Sequence, residues 1–217
     1  MRKNGRKYIV KDLVSEGQAA SRSERKDIIL TSLLICFCLF VVWMKTVWLE
    51  PIQVNGASME DTLINNDMLV LDRLASPNYG DIIVFTEKSV YAEKDGSVKT
   101  IPYIKRVIAL GGDSVKIYNG NVYLKKKGES EYSLLEEDYA KGSTYVYLAN
   151  KKIASVPMVF DVEEGEFFAM GDNRENSIDC RDARLGGALP LSCIDGVVHD
   201  FFVRYKDSNF ASIYKYL

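Results

Sequence analysis

The sequence predicts a mainly β domain that follows a single N-terminal transmembrane helix. Two observations support this prediction. The first is an uncharged apolar run, Ile28–Met44, and the second is a series of short apolar segments bounded by turn residues beyond Pro51. The chain has 217 residues, of which 47% are hydrophobic and 27% charged, as in ordinary globular proteins. This length allows one sizeable core beyond the apolar run.

The apolar run predicts a transmembrane anchor at residues 28–48. Extended to Trp48, it reaches roughly 20 residues, the length that a helix needs to cross a bilayer. A cleaved signal peptide is the alternative, but its apolar region usually spans roughly 7–15 residues and ends at small residues. Here the bulky residues Trp43, Lys45 and Trp48 occupy that place. An uncleaved anchor is the preferred interpretation, and the lipid bilayer is an expected partner.

The distribution of charge predicts the direction of the anchor. Residues 1–27 carry eight Lys and Arg against four acidic residues, and after Lys45 no basic residue appears before Arg73. Basic residues stay on the cytoplasmic side. We therefore expect a cytoplasmic tail at residues 1–27 and an extracytoplasmic domain at residues 49–217. The formal net charge of −2 gives no indication of nucleic-acid binding.

The extracytoplasmic domain is predicted to consist mostly of short strands. They are expected at Met68–Leu71, Asp81–Phe85, Tyr103–Ile108, Ser114–Tyr118, Asn121–Leu124, Glu166–Met170 and Gly196–Tyr205. Asn119-Gly120 predicts a hairpin with a type I′ turn. One short helical piece is expected at Met59–Asn66. Residues 126–158, rich in Lys, Glu, Ser and Tyr, are interpreted as a region inserted between core strands.

The four cysteines form two pairs by position. Cys36 and Cys38 lie in the apolar run, where a thiol behaves as a small hydrophobic group. Cys180 and Cys193 either form a disulfide outside the cell or remain unpaired thiols, and both alternatives stay open. No cluster of histidines or cysteines has the spacing of metal ligands, so neither a metal nor an organic cofactor is expected.

Ser58 is the first candidate for catalysis, because it follows the anchor closely in the segment Asn55–Met59. The residues that begin at Ser58 also fit the Ser-x-x-acid capping pattern, so a helix N-cap is the structural alternative. The two roles are compatible. Backbone N–H groups beside a serine at the start of a short helix can also hold a developing oxyanion.

Lys105 is the second candidate. The alternation of this segment puts Lys105 on one strand face with Tyr103 and Val107. An exposed lysine on an ordinary strand is the alternative. If the side chain faces the core, burial lowers its pKa and yields a neutral amine that can accept the proton of Ser58. The single histidine, His199, lies outside these segments.

The third segment, Gly171–Arg181, is dense in hydrogen-bonding groups. Its structural alternative is a polar turn in which Asp179 and Arg181 form a surface ion pair. Its functional interpretation makes Ser177 the group that orients the lysine amine. Asp179 and Arg181 would then brace the loop.

Together and in this order, the three segments resemble the bacterial type I signal peptidases. The resemblance extends from about Asn55 to Arg204 through the motifs Gly-x-Ser-Met, Tyr-Ile-Lys-Arg and Gly-Asp-Asn-Arg-x-x-Ser-x-Asp-x-Arg. It implies Ser58 as nucleophile, Lys105 as general base and Ser177 as the residue that positions Lys105. The supporting residues that it implies are Gly56, Met59, Asp179 and Arg181.

The resemblance also implies an all-β catalytic core on the outer membrane surface, with residues 126–158 as an inserted cap. The substrates would be exported preproteins, cut through an acyl-enzyme beside small residues at the first and third positions before the cut. We expect the substrate to bind as an added β-strand along Gln53–Ser58 and Ile101–Lys105. The substrate-binding residues would be Gln53, Val54, Asn55, Pro102 and Tyr103.

Three positions depart from the family pattern. Asp61 stands where proline is usual, and Cys180 stands where serine is usual. Some members place a hydroxyl residue two positions before the nucleophile, where this chain has Gly56. The oxyanion would therefore depend on backbone amides, chiefly that of Ser58.

Two other interpretations are less favoured. Self-cleaving regulators of the SOS response share a serine–lysine core, but they are cytosolic, and repressor members begin with a DNA-binding domain where this chain has an anchor. A non-enzymatic, membrane-anchored binding domain would be expected if Ser58 or Lys105 were replaced. Both residues are present.

Overall fold

A computed structural model describes residues 4–87, 101–148 and 151–199. The chain divides into two compact units, Met1–Val47 and Trp48–Leu217. Helix α1 (Asn4–Trp43) continues into one wider helical turn at Met44–Trp48. The segment Glu24–Trp48 has a mean hydropathy of 2.4 and is long and apolar enough to cross a membrane. A helix satisfies its backbone hydrogen bonds internally, as a bilayer requires.

The second unit is built mainly of β-strands. Those described are β1 (Leu49–Gln53), β2 (Met68–Asp72), β3 (Ile82–Glu87), β4 (Ile101–Leu110), β5 (Ser114–Tyr118), β6 (Asn121–Lys125), β7 (Ser133–Leu134), β8 (Val146–Leu148), β9 (Lys151–Ile153), β10 (Met158–Asp161), β11 (Glu166–Met170), β12 (Leu189–Pro190) and β13 (Ile194–Val198). A short 3₁₀ helix, Leu191–Cys193, precedes the last strand. The predicted fold class, a mainly β protein with one N-terminal apolar helix, is confirmed.

A seven-stranded antiparallel sheet in the order β1-β2-β13-β3-β4-β11-β12 forms the centre of this unit. Strand β3 shows why the sheet is stable, because its alternate side chains enter two different cores. Ile83 and Phe85 join the larger apolar cluster. Ile82 and Val84 join a smaller one, to which the segment after β1 contributes Met59 and Leu63.

Strand β4 is the longest strand described and has a bulge. Ala169 of β11 pairs with Val107 and Phe168 pairs with Ala109, so Ile108 is the extra residue. A bulge of this kind turns consecutive side chains toward the same side. Val107 and Ile108 accordingly both enter the larger cluster.

The second sheet has the order β10-β5-β6-β7, and it contains the predicted hairpin between β5 and β6. Asn119 and Gly120 have φ values of 50° and 81°. Both residues therefore adopt the left-handed conformation that a type I′ turn requires. Residues 126–158 contribute β7 to this sheet, and they also form the separate β8–β9 hairpin. Their role as an inserted cap stays a prediction.

Two local expectations change. The expected short helix at Met59–Asn66 is a series of turns, in which Leu63 N donates to Met59 O. The Asp67 carboxylate accepts from Ile64 N, and Asn66 has a φ of 74°, which reverses the chain before a helix can continue. The expected last strand is described as Ile194–Val198, and its predicted continuation lies outside the described residues.

Candidate active site

A cleft of about 870 Å³ lies beside the main sheet. One side consists of Ile52–Met59 together with Val84 and the start of β4, Pro102–Lys105. The other side consists of Tyr147 and the segments Glu175–Ile178 and Asp182–Arg184. All the residues that the sequence assigned to substrate binding line this cleft: Gln53, Val54, Asn55, Pro102 and Tyr103.

Ser58 and Lys105 meet at the bottom of the cleft. The Nζ atom of Lys105 donates to Ser58 Oγ at 2.7 Å and to the carbonyl of Ile104 at 2.7 Å. Lys105 is 3% exposed. The alternative of an ordinary exposed lysine is therefore wrong, because this side chain is held between the sheet and the Ser58 segment.

Burial has a direct consequence for the charge on Lys105. Loss of hydration lowers the pKa of Lys105 from 10.5 to about 8, because an ammonium loses more stabilisation than an amine when water is removed. The carboxylates of Asp179 and Asp172 act in the opposite direction. Arg181 reinforces the lowering. A neutral amine is thus accessible near neutral pH.

The Ser58 segment is fixed from two sides. Met59 and Leu63 are fully buried in the smaller cluster. From the opposite side, Asn173 donates its backbone N–H to Ser58 O and its side-chain amide to Ala57 O, each at 3.0 Å. These contacts hold the backbone around Ser58 in place.

Gly171 allows the third segment to approach Ser58 closely. A Cβ atom at this position would lie 2.3 Å from Ser177 Oγ and 2.5 Å from the backbone oxygen of Ser58. Real Cβ atoms do not approach that closely, so any side chain here displaces one of the two serine segments. The backbone N–H of Gly171 also donates to Asp179 Oδ2 at 2.9 Å.

Ser177 lines the same cleft as Ser58 and Lys105. Its buried hydroxyl has no hydrogen-bond partner of good geometry, although it helps to lower the pKa of the neighbouring Asp179. Lys105 donates to Ser58 and Ile104, and no bond joins Lys105 to Ser177. The role of Ser177 in orienting the amine stays a prediction.

Asp179 and Arg181 form a buried pair, so the alternative of a surface ion pair is wrong. Arg181 Nε and Nη2 each donate to the Asp179 carboxylate at 2.8 Å. Burial acts to raise the pKa of Asp179, but Arg181 and the Gly171 amide lower it further than burial raises it. Arg181 Nη1 also donates to the backbone oxygens of Tyr145 and Arg174.

Neither Cys180 nor Cys193 forms a disulfide in the structure. Cys180 is buried, and its Sγ accepts from Ala169 N at 3.3 Å. Burial raises the pKa of the Cys180 thiol to about 12, so this group is uncharged beside Lys105. Of the two alternatives that the sequence left open, the structure has the one without a disulfide between Cys180 and Cys193.

The chain is similar to known proteins over most of its length. The sequence profile of the signal peptidase family, peptidase S26, matches residues 25–203. The chain belongs to the signal peptidase family. Signal peptidase I U of Bacillus subtilis (strain 168) is 31% identical over 169 residues, which cover 74% of this chain and 79% of that protein. Signal peptidase I of Aquifex aeolicus (strain VF5) is 29% identical over an alignment of 222 positions, which covers 79% of this chain and 81% of that protein.

A crystal structure of a signal peptidase I from Enterococcus faecalis V583 aligns with a TM-score of 0.38 and 23% identity. The alignment covers 58% of this chain and 98% of that one. The profile and the sequence relatives make this chain a hydrolase of the signal peptidase I type, and the cleft that contains Ser58 is its candidate active site.

Sequence reasoning gave no role to Arg106 or Asp172. Arg106 Nε and Nη2 donate to the Asp172 carboxylate at 2.9 and 2.6 Å, and Thr62 Oγ1 donates to the same carboxylate at 2.6 Å. These bonds tie β4 and the turn after Ser58 to the third segment. The one feature of the sequence that could have indicated them is their place in the motifs, where Arg106 follows Lys105 and Asp172 follows Gly171.

Proposed function

We propose that this signal peptidase family member is a membrane-anchored serine endopeptidase that removes N-terminal signal peptides from exported preproteins. Ser58 is the nucleophile and Lys105 is the general base. The observation that carries the proposal is the 2.7 Å contact between the buried Lys105 Nζ and Ser58 Oγ. Membership of the family supports exported preproteins as the substrates and association with a membrane.

The reaction begins when Lys105 is neutral. At 2.7 Å, the Ser58 hydroxyl then donates to the amine lone pair, and Lys105 takes the proton as Ser58 Oγ attacks the scissile carbonyl carbon. The oxyanion that forms is held by backbone amides, chiefly that of Ser58. The amide of Gly56 is already bonded to the Asn65 side chain at 2.9 Å, and it is therefore not the second donor.

Collapse of the tetrahedral intermediate gives the acyl-enzyme. Lys105 returns its proton to the leaving amine, which is the new N-terminus of the mature protein. Lys105, neutral once more, then removes a proton from water as the water oxygen attacks the ester on Ser58, and it returns that proton to Ser58 Oγ when the acyl group leaves as a carboxylic acid. One amine thus serves as base and then as acid in each half of the reaction, and no cofactor takes part.

The substrate binds as an added strand. Strand β4 pairs with β3 along Ile101–Arg106, whereas β11 pairs with β4 only from Arg106 onward. Within the described residues, the second edge of β4 thus has no strand beside it along Pro102–Lys105, and these four residues line the cleft. Pro102 suits an edge strand because proline lacks a backbone donor. The apolar side chains of Ile52, Val84 and Ile104 line the same cleft, which favours small uncharged substrate residues.

Five further residues support the Ser58–Lys105 pair. Ser177, which lines the same cleft, orients the Lys105 amine, and the buried Asp179–Arg181 pair keeps the loop of Ser177 in place. Gly56 and Met59 shape the nucleophile segment, Gly56 through its φ of 101° and Met59 through burial.

The chain spans the membrane once. Residues 1–27 are the cytoplasmic tail, residues 28–48 are the anchor, and residues 49–217 are the extracytoplasmic domain with residues 126–158 as its cap. The basic tail supports this direction, since basic residues remain on the cytoplasmic side. Anchoring the enzyme in the bilayer that also holds the signal peptide raises the effective concentration of substrate.

The decisive experiment compares the full-length wild type with Ser58→Ala and Lys105→Arg on a purified preprotein in detergent or liposomes. Ser155→Ala, an exposed serine, is the matched control. We expect the wild type and Ser155→Ala to process the preprotein. Ser58→Ala should be inactive because it lacks the nucleophile, and Lys105→Arg should be inactive because guanidinium stays charged at any working pH. Equal processing by the wild type and Ser58→Ala, or by neither, would refute the proposal.

A further inference from the structure

Arg174, in the third segment, is a buried cation whose partners come from a different part of the chain. It is 1% exposed, and its Nη1 donates to Glu137 Oε2 at 2.6 Å and to Thr144 Oγ1 at 3.0 Å. Its Nη2 donates to the other oxygen of Glu137. Only 8% of the Glu137 side chain is exposed. A bidentate guanidinium–carboxylate pair of this kind fixes direction as well as charge.

The residues between these partners, 137–144, are named here the brace segment. Its backbone runs along the third segment: Lys141 N donates to Asp172 O at 2.8 Å, and Arg174 N donates to Lys141 O at 2.9 Å. The brace segment lies in the region that the sequence interpreted as an insertion. Here that region holds the backbone of the candidate active site directly.

Tyr139, within the brace segment, links Glu137 to the neighbour of Lys105. Its hydroxyl donates to Glu137 Oε1 at 3.0 Å, and its ring centroid lies 4.1 Å from the Arg106 guanidinium carbon. Arg106 immediately follows Lys105 in β4. The brace segment therefore also covers the cation beside the proposed base.

Three buried arginines surround this site, and each has its own carboxylate. Arg106 pairs with Asp172 and Arg181 pairs with Asp179, and both of these acids belong to the third segment. The partner of Arg174 alone comes from outside that segment. Loss of one partner of a buried pair leaves an uncompensated charge, and the structure must move or admit water to solvate it.

Arg174 also connects to the nucleophile. Its Nε donates to Gly171 O at 3.1 Å, and Gly171 is the residue whose Cα packs against Ser58 O. Asn173, immediately before Arg174, holds Ser58 O and Ala57 O. A shift of Arg174 toward solvent would therefore move the backbone that touches Ser58 and covers Lys105.

We propose that Glu137 is a positioning residue of the active site: through Arg174, it holds Gly171–Asn173 against Ser58 and keeps water away from Lys105. This inference rests on the proposed Ser58–Lys105 chemistry. Glu137 does not line the cleft, so it acts on the catalytic step and not on the binding of substrate.

The test uses Glu137→Gln in the full-length enzyme, with kcat, KM and the pH profile of cleavage as readouts. We expect kcat to fall about tenfold to a hundredfold, as for a displaced catalytic group, with KM nearly unchanged. We also expect the midpoint of the pH profile to move to higher pH, because water that reaches Lys105 restores its pKa toward that of a hydrated lysine.

The direction in which the midpoint of the pH profile moves distinguishes an effect of Glu137 through Arg174 from a direct effect of its charge on Lys105. The groups that face Lys105 are Asp172, Asp179, Arg181, Ser58, the Cys180 thiol and the Tyr103 ring. If Glu137 acted only through space, removal of its negative charge would disfavour the ammonium and move the midpoint to lower pH. A midpoint that moves to lower pH, or does not move, therefore overturns the inference even if kcat falls.

Two further variants complete the test. Glu136→Gln removes the exposed neighbouring carboxylate, and it should match the wild type in kcat, KM and midpoint. Thr144→Val removes another acceptor of Arg174 with little change in shape, and it carries the test if Glu137→Gln does not fold. It should give a smaller shift of the midpoint in the same direction, and an unchanged midpoint would overturn the inference. If the wild type and Glu137→Gln cleave the preprotein equally well, only this inference is overturned. If the wild type is inactive, the proposed function is overturned as well.

Discussion

A change of pH alone is expected to switch Lys105 between an inactive ammonium and an active amine. Burial lowers the pKa of this group from 10.5 to about 8, which corresponds to about 3 kcal/mol in favour of the neutral form. With a pKa near 8, about a tenth of the enzyme has the free amine at pH 7, half at pH 8 and about nine tenths at pH 9. The cleavage rate should rise about tenfold per pH unit below pH 7 and become constant above pH 9.

Single-turnover cleavage of a preprotein by the full-length enzyme in detergent, between pH 6 and pH 10, measures this profile. Single-turnover conditions are needed because product release can hide the step in which Lys105 takes the proton. Circular dichroism at each pH monitors the fold. His199→Gln is the control for the single histidine, which contacts Asp72 at 2.9 Å, and it should leave the midpoint unchanged.

Two results would refute the reasoning. A rate that still rises about tenfold per pH unit up to nearly pH 10, as for a midpoint near 10.5, would mean that water reaches the amine and that burial does not lower the pKa of Lys105. A rate that is constant from pH 6 to pH 10 in a folded enzyme would mean that no group titrates in the rate-determining step. The first result would refute the lowered pKa of Lys105, and the second would mean that Lys105 is not the base that acts on Ser58.

Two further predictions follow from the same contacts. Lys105→Met should abolish cleavage yet raise the free energy of unfolding at pH 7 by up to about 3 kcal/mol. Because the folded-state pKa of Lys105 is lowered, the unfolded chain holds the proton more tightly between about pH 8 and 10.5. Wild-type stability rises across that window, and the advantage of the variant in urea denaturation should disappear there. Gly171→Ala should lower kcat about a hundredfold, because its Cβ would lie 2.5 Å from Ser58 O. Gly111→Ala, whose Cβ would lie 3.0 Å from the backbone of Glu163, is the matched control, and comparable loss of kcat in both would contradict the assigned contact.

The parts of the fold that could be predicted are those encoded by neighbouring residues. The hairpin at Asn119-Gly120 has a local conformational signal, and Glu166–Met170 has the composition of a buried strand. The turn at Met59–Asn66 could not be predicted, because a capping pattern and a helical length were both present. What prevents the helix is the Asp67 carboxylate on Ile64 N, a contact that spacing alone does not indicate.

The candidate site likewise combines residues that local motifs predict with residues that only a long-range contact identifies. Ser58, Lys105 and Ser177 stand in motifs that can be read from the sequence, and all three line one cleft. Glu137 stands in no motif, and its partner Arg174 is 37 residues away in the chain. A lone glutamate in a polar region is normally a solvated surface residue, so the sequence supplies no reason to bury it. Its role is visible only once both ends of that long-range contact are known.

The arrangement of buried charges explains how the pKa of a lysine can be lowered among so many ions. An unpaired carboxylate beside Lys105 would stabilise the ammonium and raise its pKa, and an unpaired guanidinium would make the region costly to bury. Each of these acids has an arginine, and burial is the largest influence on the amine, whose pKa it lowers against the opposing influence of Asp179 and Asp172. The ion pairs then stiffen the loop that excludes water without supplying the counter-ion that would protonate the base. On this reasoning, activity depends on the balance of the pairs as much as on the dyad itself.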